Sequence, residues 1–209
     1  MSGKKKKKTR LPHPDSVVLA GCMAHQAESG VVVLHHLAPP RTINHHTPTM
    51  SSSPNATIHK PPFRPTITKP SVIFYGAIQR EPAWQTSLAA SLSDLPIDIL
   101  DPRRDDWDST WVEDVSFPKF KEQVEWEMDY AKVADVVVFY FAPEAQTPIT
   151  LLELGMYAGT GKAVVCCPRG FYKKGNVQIV CLRYGIEMLE DLDGLKEAVR
   201  AKLVEKVVD

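Results

Sequence analysis

From residue 71 onward, short continuous apolar runs alternate with longer stretches in which apolar residues recur at helical spacing. Ser71-Val-Ile-Phe-Tyr-Gly-Ala77 reads as a buried strand ending in glycine. Trp84–Leu92 carries Trp84, Leu88, Ala89 and Leu92 on one helical stripe, and Ser93-Asp94 breaks it. Ile97–Leu100 is a second strand, followed by Asp101-Pro102-Arg103-Arg104. Pro118 opens a long charged helix to Val133, with Phe117, Phe120, Val124, Met128 and Ala131 as its expected apolar stripe. Asp135–Ala142 is the strongest strand pattern, and Pro148 begins a helix that reaches about Ala158, closed by Gly159 and Gly161. Ala163–Cys167 is a fourth strand, 176–184 a helix, Ile186–Leu189 a short strand and Leu192–Val207 a terminal amphipathic helix.

Apolar strands separated by helices imply an α/β fold, with a parallel sheet of about five strands covered on both faces. Right-handed crossovers then gather the carboxyl ends of the strands on one edge, where ligands bind. The loops to search begin at Gly76, Asp101, Ala142 and Pro168.

Charge changes the picture upstream of residue 71. The chain of 209 residues has 25 basic and 25 acidic side chains, yet residues 1–70 hold 10 basic and 2 acidic ones. That leaves residues 71–209 with a balance of −8, unsuited to nucleic-acid backbones. Ten of the 17 prolines and all seven histidines also fall before residue 71. Residues 1–70 are therefore expected to be a disordered basic tail rich in Pro and Ser, and 71–209 the folded domain. The Lys4–Lys8 run reads as a solvated arm, with a nuclear address as its alternative, and the apolar stretch Val17–Ala20 is too broken for a secretory signal. A start at Met50 is another reading of the abrupt composition change.

A domain beginning at residue 71 contains no histidine. A Ser-His-Asp triad or a His-ligated metal would then be excluded, leaving carboxylates, hydroxyls, amides and arginines for chemistry. No cofactor or metal is expected. Cys166 and Cys167 read as reduced core residues, consistent with a cytoplasmic location. No apolar run reaches the ~20 residues that a membrane-spanning helix needs. No GxGxxG or GxxxxGK[ST] element is present, which argues against a dinucleotide or triphosphate cradle.

Five stretches together carry a resemblance: Ile73-Phe-Tyr-Gly-Ala77, Asp101-Pro-Arg-Arg104, Trp126-Glu-Met-Asp129, Ala134-Asp-Val-Val-Val138 and Pro148-Ile-Thr-Leu-Leu-Glu-Leu-Gly155. Lys173-Lys-Gly-Asn-Val177 follows in order. The segment 71–190 resembles the nucleoside 2-deoxyribosyltransferase-like superfamily, which implies a flavodoxin-like, doubly wound sheet. The resemblance makes Glu153 the nucleophile and Asp129 the acid/base residue that handles the base. It implies cleavage of the N-glycosidic bond of a (deoxy)nucleoside through a covalent glycosyl-enzyme, with transfer to another base or to water. It also implies a homo-oligomer.

Tyr75 is a candidate to orient Glu153 or the sugar. Gly76, Gln79, Asp101, Arg103, Arg104, Trp107 and Thr147 are candidates for substrate contacts, Trp107 offering a stacking face. Two departures stand out. Phe74 occupies the position of a common tyrosine, and Thr147 that of an aspartate six residues before the nucleophile. Two alternatives stay open: a nucleoside 5′-monophosphate N-glycosidase, for which the first loop lacks serine-glycine character, and a non-catalytic nucleotide-binding module in which Glu153 is only a helix-start carboxylate.

Overall fold

The computed structural model describes residues 55–78 and 83–208. Its elements run β1 (Thr57–His59), β2 (Ser71–Gly76), α1 (Trp84–Ser91), β3 (Asp98–Leu100), α2 (Pro118–Val133) and β4 (Val136–Tyr140). They continue α3 (Pro148–Tyr157), β5 (Ala163–Cys166), α4 (Lys174–Tyr184), β6 (Met188–Leu189) and α5 (Leu192–Val208). The six strands form one sheet in the order β1-β3-β2-β4-β5-β6, and every pairing is parallel. The order from β3 to β6 is that of a flavodoxin-like sheet. Chain direction across the sheet reverses between β2 and β4, which creates the crevice for a site.

The sheet has six strands instead of about five, and the added one lies upstream of the boundary expected at residue 71. β1 pairs with β3 in the register Thr57↔Asp98 to His59↔Leu100. The His59 ring lies 3.0 Å from Asp98 Oδ1, with both side chains nearly buried. Residues 55–70 thus belong with the domain, and a histidine does too. No long apolar run announced β1, because a three-residue edge strand covered on one side needs none. The expectations for residues 1–54, including the Lys4–Lys8 run and a start at Met50, lie outside the described residues.

Alternation along the central strands separates two cores. Val72 and Phe74 of β2, with Val136, Val138 and Tyr140 along β4, join Trp84, Leu88, Leu92, Leu195, Val199 and Leu203 from the α1 and α5 side. Ile73 and Tyr75, with Val137 and Phe139, join Trp126, Tyr130, Leu154, Tyr157 and Val177 from α2, α3 and α4. The period of two therefore aims Tyr75 at the α2–α3 layer. Gly76 closes β2 where β4 approaches so tightly that an added Cβ would lie 2.5 Å from the Tyr140 carbonyl oxygen. Its role is this close approach. Gly185 ends α4 in the left-handed conformation, at φ 67°.

The buried stripe of α2 differs from the expected one. Gln123, Trp126, Tyr130 and Ala131 are buried, whereas Met128 is exposed. The apolar pattern misled because the buried face of this helix carries polar groups that find partners inside. Among the described residues, no helix is long and apolar enough to cross a membrane. Cys166, Cys167 and Cys181 are buried free thiols, and burial pushes Cys166 up to about 12 and Cys167 up to about 11.

Candidate active site

Three elements converge on the α2–α3 layer. Strand β2 supplies Tyr75, whose ring is buried and stacks on Tyr157 of α3 with centroids 6.1 Å apart. The Tyr75 hydroxyl donates to the main-chain oxygen of Glu127 at 2.8 Å, tying β2 to the middle of α2. One turn before Glu127, Gln123 donates through Nε2 to Glu127 Oε1 at 2.8 Å and to the Pro102 carbonyl at 2.8 Å. Helix α3, opened by Pro148, reaches α2 through the Tyr157 hydroxyl, which donates to the Met128 carbonyl at 3.4 Å. It carries Glu153, whose charge acts on both Tyr75 and Tyr157.

The electrostatics follow from burial. Desolvation raises Glu153 to about 9, and the Glu127 charge adds to the rise. Desolvation raises Glu127 to about 7, opposed by the Gln123 amide, which stabilises its charged form. The Tyr75 phenol is pushed well above its ordinary range by burial and then by Glu153. Tyr157 moves the same way for the same two reasons. Two carboxyls whose protonated forms are favoured in one crevice can hold a single proton between them near neutral pH. Such a pair offers an anionic nucleophile and a proton donor at once.

The remaining expected residues fall in several places. Asp129 lies two residues beyond Glu127, exposed, with Arg64 Nη1 2.9 Å from its Oδ2. Asp101 is buried at the end of β3 and grips Arg103, at 2.6 Å to Nη2 and 2.9 Å to Nε. The Arg104 side chain is almost fully buried between Asp106 and Glu122, 2.8 Å from each, with its guanidinium over the Trp111 ring. Trp107 is half-exposed and packs on Trp111 at 4.9 Å. Both arginines therefore bind carboxylates of their own chain. Thr147 stands at the N-terminus of α3, and its Oγ1 is buried without a hydrogen-bond partner. Gln79 lies outside the described residues.

The structure thus brings Tyr75 and Glu153 together and adds three residues that the sequence reading left out: Glu127, Tyr157 and Gln123. The signal lay in spacing: Glu127 sits four residues after Gln123 and three before Tyr130, so it borders the buried face of α2, whereas Glu125 on the other side of Trp126 is exposed. Two surface grooves of about 360 and 370 Å3 lie elsewhere, one between α3 and α4 at Leu151, Gly155 and Val177, the other between β1 and α1 at Ile58 and Ala89. Neither is lined by the carboxylate pair, and the chemistry of the side chains, not groove size, marks the site. Among the described residues, no group of three or more His, Cys, Asp or Glu side chains is placed to hold a metal ion.

No curated protein matches the chain. Residues 69–171 match the family model described as nucleoside 2-deoxyribosyltransferase like. That span runs from the start of β2 past β5 and contains Tyr75, Glu127 and Glu153. The segment 69–171, whose strands β2 to β5 lie in flavodoxin-like order, thus belongs to the nucleoside 2-deoxyribosyltransferase-like family, a family of nucleoside glycosyl transfer.

Proposed function

We propose that the protein cleaves the N-glycosidic bond of a (deoxy)nucleoside and transfers the deoxyribosyl group to another base or to water. The observation that carries this reading is the pair of half-buried carboxyls, Glu127 and Glu153, close enough that the charge of Glu127 acts on Glu153 and both act on Tyr75. The proton that Glu153 holds at neutral pH passes to Glu127 when substrate binds, and Glu153, now a carboxylate, attacks C1′ while the C1′–N bond breaks with oxocarbenium character. The base leaves with the bonding electrons and takes the proton that Glu127 held. An ester joins C1′ to Glu153. An incoming base or water then loses a proton to Glu127 as it attacks C1′, and Glu153 is released as carboxylate. Proton transfer is assigned to Glu127, while Asp129 stands at the margin, where it can contact the base beside its Arg64 partner. Tyr75 and Tyr157 shape the floor and exclude water.

A second reading, the 5′-monophosphate N-glycosidase, is favoured by one observation. The unpartnered Thr147 hydroxyl sits at a helix N-terminus, where phosphate oxygens would accept from it and from free main-chain N–H groups. A homo-oligomer is part of the proposal, supported by Ile149, Leu152 and Met156, an exposed apolar stripe on α3 itself. The cytoplasm is the proposed location, which suits three buried reduced thiols.

The test incubates the full chain with deoxynucleosides and their 5′-monophosphates, with and without a free acceptor base, and separates the products by chromatography. New nucleosides are the expected result and establish transfer. Free base without exchange makes the protein a hydrolase. A folded protein with no turnover on any substrate refutes the enzymatic reading in favour of a binding module.

A further inference from the structure

Residues 60–67 run along α2 and are fastened to it by three side chains at helical spacing. Trp126 Nε1 donates to the Phe63 carbonyl at 2.8 Å, the Tyr130 hydroxyl donates to the Pro65 carbonyl at 2.9 Å, and Arg64 pairs with Asp129 at 2.9 Å. Upstream, the segment is anchored by β1, by the His59–Asp98 contact and by Lys60 on Asp105 at 2.6 Å. Downstream, Ile67 packs into the core that holds Tyr75, and the Ser71 amide donates to Asp135 at 2.8 Å. The three fastening positions, 126, 129 and 130, flank Glu127 and span little more than one helical turn. The rotation of α2 at that turn decides how far the Glu127 carboxyl reaches toward α3. Its partner bond, from Tyr75 to the Glu127 main chain, fixes the same point from the sheet side.

We infer that residues 60–67 are a strap that sets the rotation of α2 and with it the separation of Glu127 from Glu153, with Arg64 and Tyr130 as positioning residues. The inference deepens the reading above, because those two carboxyls are its reacting pair. Their spacing is nevertheless measurable without substrate. Glu153 is faced by Tyr75 from β2, Glu127 from α2 and Tyr157 from its own helix. If α2 turns away, the Glu127 charge recedes and water enters, and both changes ease ionisation of Glu153.

The experiment follows the infrared carbonyl stretch of protonated carboxyls in the full, unliganded chain as pH is raised, with Glu153→Gln identifying the band. Combining Arg64→Gln with Tyr130→Phe should lower the Glu153 midpoint by about half a pH unit or more. Turnover should fall roughly ten-fold with KM unchanged, the signature of a displaced reacting group. Arg64→Lys alone, which keeps a cation beside Asp129, should leave the midpoint at the wild-type value. If the paired variant only melts earlier while titrating and turning over as the wild type does, the strap is a mere cover and the inference falls. Should the paired variant fail to fold, Tyr130→Phe alone removes one hydroxyl and decides by the same readout. Absence of turnover in every form would remove the glycosyl-transfer reading and leave the infrared midpoint to judge the strap.

Discussion

The two sides of the sheet are built from the same strands and do opposite things. Beneath α1 and α5, the buried cluster consists of apolar and aromatic side chains such as Phe74, Trp84, Leu88, Val138, Leu195 and Val199. Beneath α2 and α3, the layer takes in Tyr75 and Tyr157 and brings Gln123, Glu127 and Glu153 down to it. One side lowers the free energy of the fold by burying hydrocarbon, at about 25 cal/mol per Å². The other spends part of that gain on carboxyls held away from water. A period-two strand can serve both because each residue is committed to a single face.

The sharpest way to break this contrast is Glu153→Gln. Turnover should drop by at least about 10³-fold in a product assay, because the amide cannot form the glycosyl ester. Nucleoside affinity measured by calorimetry should stay near the wild-type value; a variant that still turns over would remove Glu153 from the reaction. Glu127→Gln should follow, with a loss of roughly 10²-fold or more. That loss should shrink for a substrate whose leaving group needs no proton, and an equal loss for both substrates would assign Glu127 a different task. On the opposite side, Leu88→Ala should cost about 2–5 kcal/mol in denaturant unfolding. Turnover per folded molecule should be unaffected, which an activity titration below the transition checks.

The smallest effect concerns pH. A carboxyl raised to about 9 in the fold retains its proton where the unfolded chain has lost it, so its contribution is fullest below about 4.5 and vanishes as pH climbs through about 9. Wild-type stability should therefore decline across that window. Glu153→Gln should flatten the decline, gaining on the order of 2 kcal/mol at pH 8 and little at pH 5. Parallel melting curves for the two proteins at both pH values would show that Glu153 is not held protonated.

What could be read from the sequence divides along the same line. The runs at 71–77, 135–142 and 163–167 became strands because a doubly covered parallel sheet demands unbroken apolar segments. The stripe Trp84, Leu88, Ala89 and Leu92 became a buried helix face, and the one buried polar residue beside it, Gln85, donates to the Ala77 carbonyl without displacing it. On α2 that logic failed. Gln123 is buried on a bond to the Pro102 carbonyl, so a stripe drawn through Val124 and Met128 pointed elsewhere and Glu127 escaped notice. β1 escaped for another reason: Thr57-Ile58-His59 joins an edge already made by β3, and three residues among prolines leave no period to detect. Asp-Pro-Arg-Arg looked like charge awaiting a ligand, yet Asp101, Asp106 and Glu122 take up both guanidinium groups. Composition cannot reveal such self-neutralisation, since it depends on which carboxylates the fold brings near.

Neighbouring Cys166 and Cys167 on one side of the sheet's centre line have a practical consequence. Successive residues of a strand face opposite ways, so Cys166 belongs to the α1–α5 cluster and Cys167, with Cys181, to the other. Each thiol is thus a reporter sealed inside a different layer, inert until that layer opens. In a chain carrying Cys22→Ser, the rate at which a thiol reagent modifies each position would time the opening of the two layers separately. Peptide mapping of the labelled sites should find the carboxylate-bearing side opening first, and more often at alkaline pH, while the hydrocarbon side stays shut.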